Sequence, residues 1–117
     1  MYEYDEYQED VYSEEIDEYI GLIEQAREEL EALEEKLAYF SGLADEEEDK
    51  FRQFEELGNN AGENPEMQAY YYEQYEHHLE QHESYMNRFE SIQDEMAELE
   101  SNISYWTACL ADLNYEY

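Results

Sequence analysis

The chain has 117 residues, carrying 35 Asp and Glu against 5 Lys and Arg, for a formal net charge of -30. That length suits one domain. A charge of this sign and density excludes nucleic acid and anionic membrane surfaces as direct ligands, since both would repel it. No apolar run approaches the roughly 18 residues of a spanning helix, and the opening MYEYDEYQED lacks the basic region of an export signal. A soluble, cytoplasmic protein is therefore expected.

Residues 1–11 show no apolar stripe and are expected to be loosely ordered. From Tyr12, alternating steps of three and four select Ile16, Tyr19, Ile23, Ala26, Leu30, Leu33, Leu37, Phe40, Ala44, Glu47, Phe51 and Phe54. All but Glu47 are apolar or aromatic, which predicts a helix over 12–57 with a 3.5-residue seam. Ser41-Gly42 is a potential break at 41–43, and a break there would give three helices. Residues 58–65, Gly-Asn-Asn-Ala-Gly-Glu-Asn-Pro, form the one strong breaker cluster and predict a loop, with Gly58 as a C-cap. Asn64 and Pro65 read as the N-cap and first residue of a second helix over 66–114. Its seam runs through Tyr71, Tyr75, His78, His82, Tyr85, Phe89, Ile92, Met96, Leu99, Ile103, Trp106, Leu110, Leu113 and Tyr117. High charge and low mean hydropathy are a signature of disorder, but so regular a placement of aromatic and aliphatic residues argues for a packed chain.

The expected fold is all-α, a long antiparallel helical hairpin of coiled-coil type. Folding back at the loop pairs positions whose numbers sum to about 125, so that Phe54 meets Tyr71, Phe40 meets Tyr85 and Tyr19 meets Trp106. The same register sets Glu47, the charged misfit of the first seam, opposite His78, with His82 one layer away. A carboxylate in a seam needs a partner, so Glu47, His78 and His82 are expected to form a structural polar layer. The competing reading of these three side chains is a metal site. The tract Glu76-His77-His78-Leu79-Glu80-Gln81-His82 has no His-Glu-x-x-His order and no paired Glu-x-x-His, which favours the polar layer, with no metal or other cofactor.

Catalysis is not expected. The lone Cys109 has no histidine near it in this register and reads as an inert thiol beside the seam. A two-helix hairpin offers no cleft in which a carboxylate could be desolvated for acid–base work. Gly-rich phosphate loops and basic patches are missing from the sequence.

What remains is the charge itself. Glu24, Glu28, Glu31, Glu35, Asp45, Glu46, Glu48 and Asp49 occupy outer positions of the first helix, and Glu76, Glu80 and Glu83 those of the second. Acids at i,i+3 and i,i+4 destabilise a helix by a few tenths of a kcal/mol per pair, so selection for folding alone would have interspersed lysines. A hairpin of about 48 residues per helix would be about 72 Å long. Thirty charges along it give one per about 2.4 Å, between the roughly 1.7 Å of duplex DNA and the roughly 3.4 Å of one strand. Tyr2, Tyr7, Tyr39, Tyr70, Tyr72 and Tyr105 lie off the seam, and Asp5 and Glu6 sit between the first two. Carboxylates accept the bidentate guanidinium bonds normally given to phosphate, and tyrosine rings stack on guanidinium planes. Partner binding is thus assigned to Tyr2, Asp5, Glu6, Tyr7, Tyr72 and the outer acids just named. Leu22, Leu43 and Leu57 beside one seam, and Tyr72, Leu79 and Met86 beside the other, leave homodimerisation open.

In its small size, helical content, near-absence of basic residues and stretches such as Tyr2-Glu3-Tyr4-Asp5-Glu6-Tyr7-Gln8-Glu9-Asp10, the chain resembles the phage-encoded DNA-mimic inhibitors of anti-restriction and anti-CRISPR type. The resemblance implies inhibition by occupying the nucleic-acid channel of a basic protein, such as a Cas effector or restriction enzyme, in the host bacterial cytoplasm. Two other functions fit the same composition: a structural or adaptor coiled coil kept soluble by its acids, and an acidic chaperone for histone-like basic proteins.

Overall fold

The computed structural model describes the backbone from Tyr2 onward and the side chains from Ser13 to Tyr117. It is all-α: helix α1 spans Tyr2–Asn59 and helix α2 spans Pro65–Asp112, and no strand occurs among the described residues. The two helices form a helical hairpin. The chain divides into a loop-distal unit, residues 1–33 with 94–117, and a loop-proximal unit, residues 34–93, each built from parts of both helices.

Several features differ from the sequence expectation. Residues 2–11 are helical, so that α1 begins at Tyr2 rather than at Tyr12. Helix propagation needs only one hydrogen bond per added residue and no packed seam, and acids near an N-terminus favour the helix dipole. No break occurs at 41–43. Gly42 faces outward, and a Cβ built on it meets nothing within 4 Å. The helix is held on either side of it by half-buried Phe40 and buried Ala44. The loop is shorter than 58–65, because Gly58 stays inside the last turn of α1. The left-handed residue is Gly62, at φ 65°.

These glycines yield a simple expectation. Gly42→Ala, or Gly21→Ala, which also points a new Cβ into open space, should stabilise the chain by about 0.5–1 kcal/mol through helix propensity alone. A higher urea midpoint at unchanged slope is the readout. A lower midpoint would mean that the outer face is covered.

α2 begins as its sequence directs. The Asn64 Oδ1 accepts a hydrogen bond from the Met67 backbone N–H at 3.2 Å, and Pro65 occupies the first helical position, where its missing N–H costs nothing. The Gln68 side-chain amide donates back to the Gly62 carbonyl and ties the turn to the helix start. At the other end, α2 stops two residues earlier than expected, in a Schellman motif. Asn114 adopts φ 60°. The Tyr115 N–H bonds the Leu110 carbonyl, and the Asn114 N–H bonds the Ala111 carbonyl, each at 3.0 Å. This reversal returns the last residues toward α1, where the Arg27 guanidinium lies 4.8 Å above the Tyr117 ring. Tyr117, the last position of the predicted seam, is thereby held against Arg27, although it stays 44% exposed.

In the loop-proximal unit the helices run antiparallel with aromatic layers across the seam. Phe54 faces Tyr71 with ring centroids 6.4 Å apart, Phe51 meets Tyr75 edge-on at 5.8 Å, and Phe40 faces Tyr85 at 6.3 Å. In the loop-distal unit Tyr19 sits against Cys109, one turn beyond Trp106. Among the described residues only Ile23, Ala26, Ala44, Ile92 and Leu110 form the buried apolar core. Most of the remaining described seam positions are half-buried, because two helices cover one another only along a single stripe.

Candidate functional site: an acidic surface studded with tyrosine

Glu47 and His78 come together as a polar layer within the loop-proximal seam. The Glu47 carboxylate accepts a hydrogen bond from His78 Nδ1 at 2.6 Å, with both side chains largely covered, and Lys50 approaches the other carboxylate oxygen at 3.7 Å. The His78 ring lies parallel to Phe54 at 5.5 Å. His82 takes a different partner from the one its spacing suggested. Its Nδ1 donates to the Ala44 carbonyl at 2.9 Å, and its ring packs edge-on against Phe51 at 5.4 Å. Ala44 has almost no side chain, so an imidazole from α2 can reach past it to the α1 backbone. Among the described residues no three His, Cys, Asp or Glu side chains converge as a metal site would require.

Of the acids assigned to partner binding, Glu24, Glu28, Glu31, Glu35, Asp45, Glu46, Asp49, Glu76, Glu80 and Glu83 are all exposed. Glu48 differs. It is half-buried and held by Arg52, whose Nε and one terminal nitrogen reach the same carboxylate oxygen at 3.1 and 2.8 Å. The guanidinium keeps the Glu48 carboxyl below its ordinary value of 4.5. The pair therefore supports the fold above that pH and ceases to as pH falls through the lowered value. Asp5, Glu6, Tyr2 and Tyr7 lie on the first turns of α1, and their side chains are outside the described residues.

Few cations face this array. Arg27 stacks on Tyr117, and Arg88 lies 5.4 Å from the Phe40 ring centroid. Among the described residues Glu47 and Glu48 are the acids engaged by a Lys, Arg or His side chain. The loop-proximal unit holds sixteen carboxylates against Lys36, Lys50, Arg52 and Arg88.

Tyrosines punctuate the acids. Tyr39, Tyr70, Tyr72 and Tyr105 are each more than half exposed. The Tyr72 ring stacks on Tyr75 at 6.4 Å, and the neighbouring Glu76 carboxylate pushes its phenol pKa up. In the loop-distal unit Cys109 is half-buried against the hydroxyls of Tyr19 and Tyr105, and this contact raises both phenol pKa values.

Sequence reasoning missed a groove of about 390 Å3 beside the loop, lined by Phe54, Glu55, Gly58, Gln68, Tyr72 and Tyr75, with Asn59 at its rim. Seam arithmetic assigned Phe54 and Tyr75 to the interior, yet each keeps one edge on this groove. The i,i+3 spacing of Tyr72 and Tyr75 opposite a glycine was the signal that could have found it.

Comparison with protein-family models, with curated proteins and with solved structures returned no match. No helix among the described residues is long and apolar enough to cross a membrane. Fold and surface together define the chain as an all-α helical hairpin with a dense carboxylate coat.

Proposed function

We propose that this chain is a non-enzymatic DNA mimic that blocks nucleic-acid binding by a protein with a basic cleft, an inhibitor of anti-CRISPR or anti-restriction type carried by a phage. The observation that carries the reading is the nearly uncompensated row of exposed carboxylates. In the loop-proximal unit twelve net negative charges accompany the twenty-six α1 residues from 34 to 59. That stretch of helix is about 39 Å long at the standard rise, so one net charge falls every ~3 Å, near the ~3.4 Å of a single DNA strand. A hairpin tuned only for stability would replace several of these acids with lysine and gain i,i+4 pairs. Exposed tyrosines add flat, low-entropy contact surface of the kind that dominates interface energetics.

An electrophoretic competition assay tests this. At low salt the protein should displace labelled duplex or single-stranded DNA from a Cas effector or restriction enzyme with a basic channel. Displacement should weaken steeply as salt rises, because the encounter is steered by charge. Failure to release DNA from any of a panel of such proteins at low salt overturns the reading. Equal binding to histone-like proteins and nucleases, with no selectivity, would mark a general acceptor of basic proteins.

A further inference from the structure

We infer that the groove beside the loop is an arginine-binding site, in which a guanidinium from a basic partner lies across the exposed aromatic pair Tyr72 and Tyr75 with its charge toward Glu55. The inference rests on the partner being basic, as proposed above, and adds where one of its side chains seats and why that side chain is arginine.

Three features point to this occupant. The first is shape and lining: Phe54, Tyr72 and Tyr75 supply aromatic surface around a concavity of about 390 Å3, and Gly58 contributes no side chain to obstruct it. The second is charge. Glu55 lines the groove, and Glu76, close enough to raise the Tyr72 phenol pKa, adjoins it. No Lys or Arg is among the lining residues, and Arg52, the cation that feels the Glu55 charge, is already held by Glu48. These exposed carboxylates would repel an anion and attract a cation. The third is rigidity. The Tyr72 ring is stacked on Tyr75, and Tyr75 is wedged edge-on against Phe51. The aromatic floor therefore needs little ordering when a ligand arrives.

A planar, weakly hydrated guanidinium uses such a floor better than an ammonium. It stacks on rings while its N–H groups remain free for a carboxylate, whereas lysine is a compact, strongly hydrated point charge. The groove should therefore discriminate between two ligands of identical charge.

The test compares two nonapeptides by titration calorimetry, one of nine lysines and one with arginine at its central position. Bulk attraction to the acidic surface is common to both and cancels in the ratio of affinities. On the wild-type protein the arginine peptide should bind about 3- to 10-fold tighter, the range of a partly desolvated cation–π contact. Tyr72→Ala should abolish that preference, and Glu55→Gln should reduce it. Tyr72→Phe, which keeps the ring, should retain most of it. Tyr39→Ala removes an equally exposed tyrosine outside the groove and should leave the ratio intact. Circular dichroism of each variant checks that the helices persist. Equal affinity of the two peptides for wild type overturns the inference, as does a preference that survives Tyr72→Ala or that falls equally with Tyr39→Ala. Those results leave the DNA-competition outcome unaffected. A preserved arginine preference without DNA displacement would instead sink the mimic reading and leave the groove standing.

Discussion

Ile23→Ala and Leu110→Ala are each expected to lower the unfolding free energy by about 2–5 kcal/mol. Ile23 and Leu110 are the two largest side chains with no exposed surface, and truncating either leaves a void in a seam that has few other enclosed positions. A domain of this size holds roughly 5–15 kcal/mol in all, so either change should remove a large share of it. Leu57→Ala is the control. Leu57 is 44% exposed, and its loss should cost under about 1 kcal/mol because water already covers much of it. Urea denaturation followed by helical ellipticity separates the two cases through the midpoint. If Leu57→Ala and Ile23→Ala shift the midpoint equally, the seam is not where the chain stores its stability.

The second large effect belongs to the seam's polar layer. Glu47→Ala should cost about 1–3 kcal/mol, because it leaves the covered His78 N–H without its acceptor. His78 stacks on Phe54 and cannot turn outward without breaking that contact. Glu31→Ala, at an exposed position, should stay within about 0.5 kcal/mol and can even stabilise by relieving repulsion. Glu47→Gln keeps an acceptor for His78 and should fall between the two. Identical melting temperatures for the Ala variants at 47 and 31 would rule out a structural role for the pair.

The seam shows how far periodicity carries. Glu47 and His78 are misfits in separate stretches, and one register, counted from the loop, was enough to set them opposite each other. The layers of Phe54 with Tyr71 and Phe40 with Tyr85 follow the same count. His82 escaped it, since its acceptor is a backbone carbonyl exposed only because residue 44 is alanine, and no residue-type pattern marks a carbonyl as reachable. Gly42 misled in the opposite direction. Glycine's local cost was legible, but whether flanking layers would hold the helix through it depended on packing at Phe40 and Ala44.

The chain's own order of residues thus determined that there are two helices, where they turn, which stripe of each is buried, and that the opposite faces carry a nearly unopposed negative charge. Those properties are periodic or compositional, and they survive without knowledge of any distance. Only the tertiary structure decided that His82 reaches the Ala44 carbonyl, that the Asn114 turn brings Tyr117 under Arg27, and that Tyr72, Tyr75 and Glu55 share a groove. Each of these depends on where a side chain ends up after the backbone has curved or paired, a matter of a few ångströms that the spacing of letters does not encode.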